Sequence, residues 1–230
     1  MRDRHVLCTG GTGALGSRVT MALVRRGARV TVTVHAASER ERLVADLGAL
    51  ASHVVFADAD LRDEAQVAAL TDGMPRLDAL VQIVGGFGMG PTDEFSLDQY
   101  RSLVDINLTI TFLAVKHALR RMKNAAYGRI VTVASRAALE PTGDSAVYSA
   151  CKAAVLAFTR AVAEETKSTG ITANCVLPSI IDTPANRKAM GEADAHKWVR
   201  PERLADTIAF LASEEAGDLR GSAIQVYGGV

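Results

Sequence analysis

The chain has 230 residues, nearly half of them apolar (48%), enough for one large core rather than two small ones. Its 26 basic and 26 acidic residues cancel, so neither a nucleic-acid footprint nor an anionic-membrane partner is expected. No apolar run approaches the roughly 20 residues of a membrane helix, and Cys8, Cys151 and Cys175, scattered, odd in number and forming no CxxC, support neither a disulfide framework nor a zinc site.

In chain order, His5–Thr9 reads as the first strand, so close to the N-terminus that no room is left for a signal peptide. Strands are further predicted at Ala28–Val34, Val54–Ala57, Ala79–Val84, Arg129–Ala134, Thr172–Leu177 and Ala223–Val226. Amphipathic stretches lie between them: Ser17–Arg26, Glu39–Leu47, Asp63–Leu70, Asp98–Lys123, Tyr148–Ser168 and Glu202–Ala212. Strands apolar on both faces and joined by helices imply a seven-stranded, mostly parallel, doubly wound α/β sheet of the Rossmann type. A single domain over residues 1–230 is expected, in the cytoplasm and without a metal. Gly85–Phe95 and Pro178–Arg200 read as irregular, leaving strands at their carboxyl ends, where open α/β sheets bind ligands.

Thr9-Gly10-Gly11-Thr12-Gly13-Ala14-Leu15-Gly16 joins the first strand to the first helix. A pyrophosphate needs a tight turn, close backbone approach and the free N–H groups of a helix N-terminus, and glycines at 10, 13 and 16 provide them. The other reading is an ordinary glycine-rich turn; position at the first strand–helix junction favours dinucleotide binding.

Tyr148 and Lys152 stand four residues apart, on one face of a helix. A phenol titrates near pH 10, and a neighbouring ammonium favours its ionised form, bringing it toward use as a proton relay. Alone, the pair is equally a solvated helical pair. Ser135 ends the strand Arg129–Ala134 and is either a capping serine or a donor to a substrate carbonyl oxygen. Asn107, in an apolar helical stretch, must find partners, either as a core amide on backbone carbonyls or in a catalytic role.

The glycine turn and these four residues together resemble the short-chain dehydrogenase/reductase family, in its short single-domain form, over essentially the whole chain. The resemblance implies Tyr148 as general acid/base and Lys152 as the residue lowering its pKa and binding ribose. It further implies Ser135 as the group polarising substrate, and Asn107 as holding a water between Lys152 and solvent. Nicotinamide cofactor contacts are implied at Gly10, Thr12, Gly13, Ala14, Leu15, Gly16, His35, Asp60, Leu61, Gly85, Gly86, Tyr148, Lys152, Pro178, Ile181 and Thr183. The spacing Gly10, Gly13, Gly16 is similar to the extended members of the family, whereas short members usually carry glycine where Ala14 stands. Gln82-Ile83-Val84-Gly85 replaces the family's NNAG, so Ile83 lacks the hydrogen bonds of an asparagine. The segment from Leu177 to Trp198, with the glycine turn, is also similar to quinoid dihydropteridine reductases.

No carboxylate follows the second strand until Glu39, which favours NADP(H) over NAD(H), with His35, Ser38 or Arg40 able to meet a 2′-phosphate. The substrate is expected to be a small carbonyl or alcohol, by analogy a 3-oxoacyl or polyketide-like ketone, walled by Phe87, Met89, Arg136, Leu139, Met190 and Trp198, with Arg187 a possible anionic contact. The competing expectations are pterin reduction, and an NAD(P)-sensing protein without chemistry. By resemblance the two long helices assemble a homo-oligomer, a dimer or tetramer.

Overall fold

The computed structural model describes residues 1–230. Seven strands form the sheet: β1 (His5–Thr9), β2 (Arg29–Thr33), β3 (Val54–Ala57), β4 (Ala79–Gln82), β5 (Gly128–Val133), β6 (Ile171–Pro178) and β7 (Ala223–Val226). Their order is β3-β2-β1-β4-β5-β6-β7, and every neighbouring pair is parallel. The chain runs outward from β1 to β3, then crosses back to β4 on the other side of β1. The strand order reverses there, opening a crevice at the carboxyl ends of β1 and β4.

Eight helices cover the two faces: α1 (Ala14–Arg25), α2 (Ala37–Leu47), α3 (Glu64–Asp72), α4 (Leu97–Val104), α5 (Ile110–Ala125), α6 (Ala146–Glu165), α7 (Pro184–Met190) and α8 (Pro201–Leu211). Alternation along each strand divides the core. Val6 and Cys8 of β1 join Val30, Val32, Val131 and Val176 under Val19 and Leu23 of α1, Leu43 of α2 and Ile208 of α8. Leu7 points the other way, joining Leu80, Ile130 and Ile171 under Ala118 and Met122 of α5 and Val162 of α6. Fully buried leucines and isoleucines such as Leu7, Leu80 and Ile171 each stabilise the fold by roughly 1.5–3 kcal/mol. The stretch Leu97–Ala125 and helix α6 are long and apolar enough to cross a membrane by length and composition. Both instead lie against the sheet.

All three cysteines are buried free thiols, raised in pKa by burial, Cys8 to about 12. Three expectations are corrected. Strand β4 stops at Gln82 instead of Val84, because the Thr9 hydroxyl takes the Ile83 N–H (3.2 Å) that would have continued the ladder. Pro178–Arg200 is not wholly irregular: Thr183 caps α7 with Pro184 at its first turn, and Ile181 bridges to Val199. The predicted helix Asp98–Lys123 is α4 and α5 joined by a π-helical turn, Asp105–Thr109, that holds Asn107.

Candidate active site

A cleft of about 540 Å³ opens at the point of strand reversal. It is lined by Gly10, Thr12, Gly13, Ala14, Leu15, Gly16, His35, Asp60, Leu61 and Gly85, ten of the residues expected to hold the cofactor. Helix α1 begins here with no side-chain cap and no acidic residue in its first turn, so its free N–H groups suit a diphosphate. Gly10 has φ +66°, and a Cβ on Gly16 would be driven into the Gly10 carbonyl, so neither position tolerates a side chain. A Cβ on Gly13 would meet only the Gly10 carbonyl, at 3.4 Å, an ordinary contact. The essential pair is therefore Gly10 and Gly16, the spacing shared by the short and extended forms of the family, and exposed Ala14 is accommodated. Thr33 fixes the turn by accepting the Gly10 N–H (3.0 Å).

Val34, Glu39, Arg62, Ile83, Val84 and Ile106 also line this cleft. Glu39 is the first carboxylate after β2, several residues beyond its end. The first turn of α2 folds it back, and its Oε2 accepts the Thr12 hydroxyl at 2.8 Å. Val84 is absorbed by packing with Ile106 against Ile110.

Beside the cleft, the Asn107 amide clamps Gly86: Nδ2 donates to the Gly86 carbonyl (3.0 Å) and Oδ1 accepts the Gly86 N–H (3.2 Å). Nδ2 also donates to the Leu103 carbonyl (3.0 Å). Gln82, buried, takes over much of the bonding absent at Ile83: its Nε2 donates to the Val84 carbonyl (3.2 Å) and to Thr111 Oγ1 (3.4 Å), and its Oε1 accepts the Thr9 hydroxyl. The Thr111 hydroxyl in turn donates to the Asn107 carbonyl (2.6 Å). A polar chain thus links β1, β4 and the π turn, a role for Gln82 and Thr111 that no sequence motif marked.

Tyr148 and Lys152 lie on one face of α6, with the Lys152 ammonium 5.8 Å from the phenol ring centre. Lys152 is buried, 5% exposed, and its Nζ donates to the Val133 carbonyl (3.2 Å). Burial pushes its pKa down to about 8. Burial also raises the Tyr148 phenol above its ordinary value, opposed in part by the Ser135 hydroxyl. The lowering expected from Lys152 is not found: Ser135 alone opposes burial, and the direction of the shift keeps the phenol protonated. Ser135 accepts the Ala137 N–H (3.2 Å), capping the short turn Arg136–Ala138, which leaves its hydroxyl proton free to donate. Both roles open to it are therefore compatible. Gly85 sits in the gap between Lys152 and Asn107: a Cβ there would lie 2.8 Å from Asn107 Oδ1 and 2.9 Å from Lys152 Nζ.

Six expected cofactor contacts lie outside the cleft lining: Gly86, Tyr148 and Lys152 beside it, and Pro178, Ile181 and Thr183 further along the sheet edge. Pro178 is buried at the end of β6, the Ile181 carbonyl accepts Asn186 Nδ2 (2.8 Å), and Thr183 Oγ1 accepts the Asn186 N–H (3.2 Å). Of the expected substrate walls, Phe87 is 66% exposed and meets Tyr148 edge to face at 4.9 Å. Leu139, Met89 and Met190 are exposed at the same carboxyl edge of the sheet. Trp198 is not such a wall: it is 5% exposed and belongs to the core. Arg136 is engaged by Glu140 (2.7 Å) and lies over the Tyr227 ring, while Arg187 forms two hydrogen bonds to Asp182.

Residues 4–194 match the family model described as short chain dehydrogenase. The cis-4-hydroxycyclohexanecarboxylate dehydrogenase of Sinomonas cyclohexanicum is 33% identical, over 99% of this chain and 96% of its own. A 3-oxoacyl-[acyl-carrier-protein] reductase of Synechocystis is 29% identical, over 97% and 95%. Among solved structures, ElxO with NADP bound superposes with a TM-score of 0.91 at 25% identity, covering 99% of this chain and 98% of that one. The resemblance to quinoid dihydropteridine reductases gains no support from these relatives. The family-model match, the parallel seven-stranded sheet and relatives aligned along almost their full length place this chain in the short-chain dehydrogenase/reductase family of oxidoreductases.

Proposed function

We propose that the chain exchanges a hydride between a nicotinamide dinucleotide, NAD(H) or NADP(H), and a carbonyl or alcohol, with reduction of a 3-oxoacyl or polyketide-like ketone as its leading reaction. One observation carries this reading: a half-buried Tyr148 with Ser135 and Lys152 beside it, at the edge of a cleft suited to a dinucleotide. The glycine turn and the open α1 N-terminus would hold the diphosphate, and the cleft between Leu15 and Leu61 would hold the adenosine half. When bound, the nicotinamide supplies the hydride that reduces the carbonyl carbon, or takes it up in the reverse direction.

The chain's own residues handle the oxygen. Ser135 donates to the carbonyl oxygen and stabilises the charge that develops there. Tyr148 gives its proton to that oxygen as the carbon–oxygen double bond becomes single. Lys152 then stabilises the phenolate left behind. Asn107 Oδ1 keeps one lone pair beyond its bond to Gly86, and a water held there would return a proton to Tyr148 by way of Lys152. The exposed apolar groups Phe87, Met89, Leu139 and Met190 favour a bulky apolar substrate. The two named relatives act, by their names, on an alicyclic hydroxy acid and a 3-oxoacyl thioester, both of which fit that preference.

A substrate panel followed by NAD(P)H absorbance tests the reading. Turnover of 3-oxoacyl thioesters or cyclic ketones with NADPH or NADH is expected. Turnover of quinonoid dihydropterin alone, or of nothing on the panel, would overturn it.

A further inference from the structure

We propose that Glu39 sets cofactor choice in this chain: from the first turn of α2 it stands in for the acid missing at the end of β2, accepting from ribose hydroxyls and opposing a 2′-phosphate. The inference rests on the cleft being a dinucleotide site, and concerns which dinucleotide it takes.

Strand β2 ends at Thr33, and Val34, which continues its pairing through a bond from its N–H to the Ala57 carbonyl (3.1 Å), offers only an apolar side chain to the cleft. The carboxylate comes from elsewhere. Glu39 occupies the first turn of α2, where the helix dipole favours a negative charge, and lines the cleft. The Thr12 hydroxyl, fixed in the glycine turn, holds Oε2 at 2.8 Å and leaves Oε1 open to accept.

The charge is not cancelled by its neighbours. Arg40 lies over the Phe56 ring, 4.8 Å from its centre, and Arg42 donates to the Thr12 carbonyl at 3.3 Å. A hydroxyl-bearing ribose gives Glu39 the hydrogen-bond donors a carboxylate requires. A 2′-phosphate brings a second anion into the same space, with acceptors facing acceptors. Two groups in the cleft work the other way, since His35 and Arg62 both line it and can meet a phosphate. Cofactor selectivity is the balance of these against Glu39, and removing the carboxylate tips it.

Calorimetric titration with adenosine 2′,5′-bisphosphate and with 5′-AMP reads this balance without any chemistry. Glu39→Gln keeps an oxygen for Thr12 and removes the charge, and Glu39→Lys reverses the charge. Relative to the unaltered chain, Glu39→Gln should shift the Kd ratio at least fivefold toward the 2′-phosphorylated probe, and Glu39→Lys further. The kcat/KM ratio for NADPH over NADH should move the same way. A shift below fivefold in Glu39→Gln, or no further shift in Glu39→Lys, would overturn the proposal. Failure of every carbonyl substrate to turn over would instead sink the proposed reaction, and would leave the Kd ratio as informative as before.

Discussion

Lys152 is buried with its ammonium on the Val133 carbonyl, and burial pushes its pKa from 10.5 down to about 8. In the unfolded chain it holds its proton up to the ordinary value. Between about pH 8 and 10.5 the unfolded state therefore binds more protons than the folded one, and stability rises with pH across that window. Below pH 8 the full cost of a buried charge is present. Lys152→Met should accordingly stabilise the cofactor-free protein at pH 7 by about 1–3 kcal/mol in urea denaturation, the lost bond to Val133 being the smaller effect. A lower midpoint would contradict this. The same charge is needed beside Tyr148, so kcat/KM for ketone reduction should be level below pH 8 and fall above it. A profile that rises through pH 8 would exclude this role. That Ser135, Tyr148 and Lys152 come together was legible because residue type and spacing carry the grouping. The place of Glu39 was not, because a ribose-binding acid ordinarily ends a strand and this one arrives from a helix. Trp198 was misplaced because an indole beside a ligand loop and one packed in the core read alike in sequence.

The site depends on two elements of unlike legibility. The glycine turn was readable, since the absence of side chains at Gly10 and Gly16 is itself the device. The π turn Asp105–Thr109 was not. Its apolar periodicity continues that of α4 and α5, and its extra residue is supported by the tertiary bonds of Asn107 to Gly86, with a local bond from the Thr111 hydroxyl to the Asn107 carbonyl. Helix α7 has its signal in Thr183-Pro184, but its seven residues are too few to show an apolar period within the surrounding irregular stretch. Gly85, three residues beyond β4, keeps the gap between Asn107 and Lys152 open. Gly85→Ala should fill it and lower kcat by roughly tenfold or more through misplacement of the catalytic groups, with thermal stability changed far less. An unchanged kcat would show that the gap is not used.

At the scale of the whole molecule, the alternation of strand and helix was sufficient for the architecture. The bounds of β1, β3 and β7 agree with the structure residue for residue, and the sheet proves parallel throughout rather than mostly so. What the pattern lacks is information about surfaces. Leu97, Tyr100 and Phe112 on the long α4–α5 stretch remain exposed, and Phe112 meets Phe158 of α6 at 6.2 Å. We propose that this face associates with a second copy of the chain, and sedimentation should find a dimer or tetramer. A monomer at assay concentration would contradict it.

The central claim is proton transfer by Tyr148, and Tyr148→Phe tests it most directly. The substitution removes one hydroxyl and keeps the ring that packs on Phe87. Turnover of a ketone, followed by NADPH absorbance, should fall by about 10²–10⁴, with the Kd for the cofactor within threefold of the unaltered chain. Turnover retained within tenfold, with the cofactor bound as before, would contradict the mechanism.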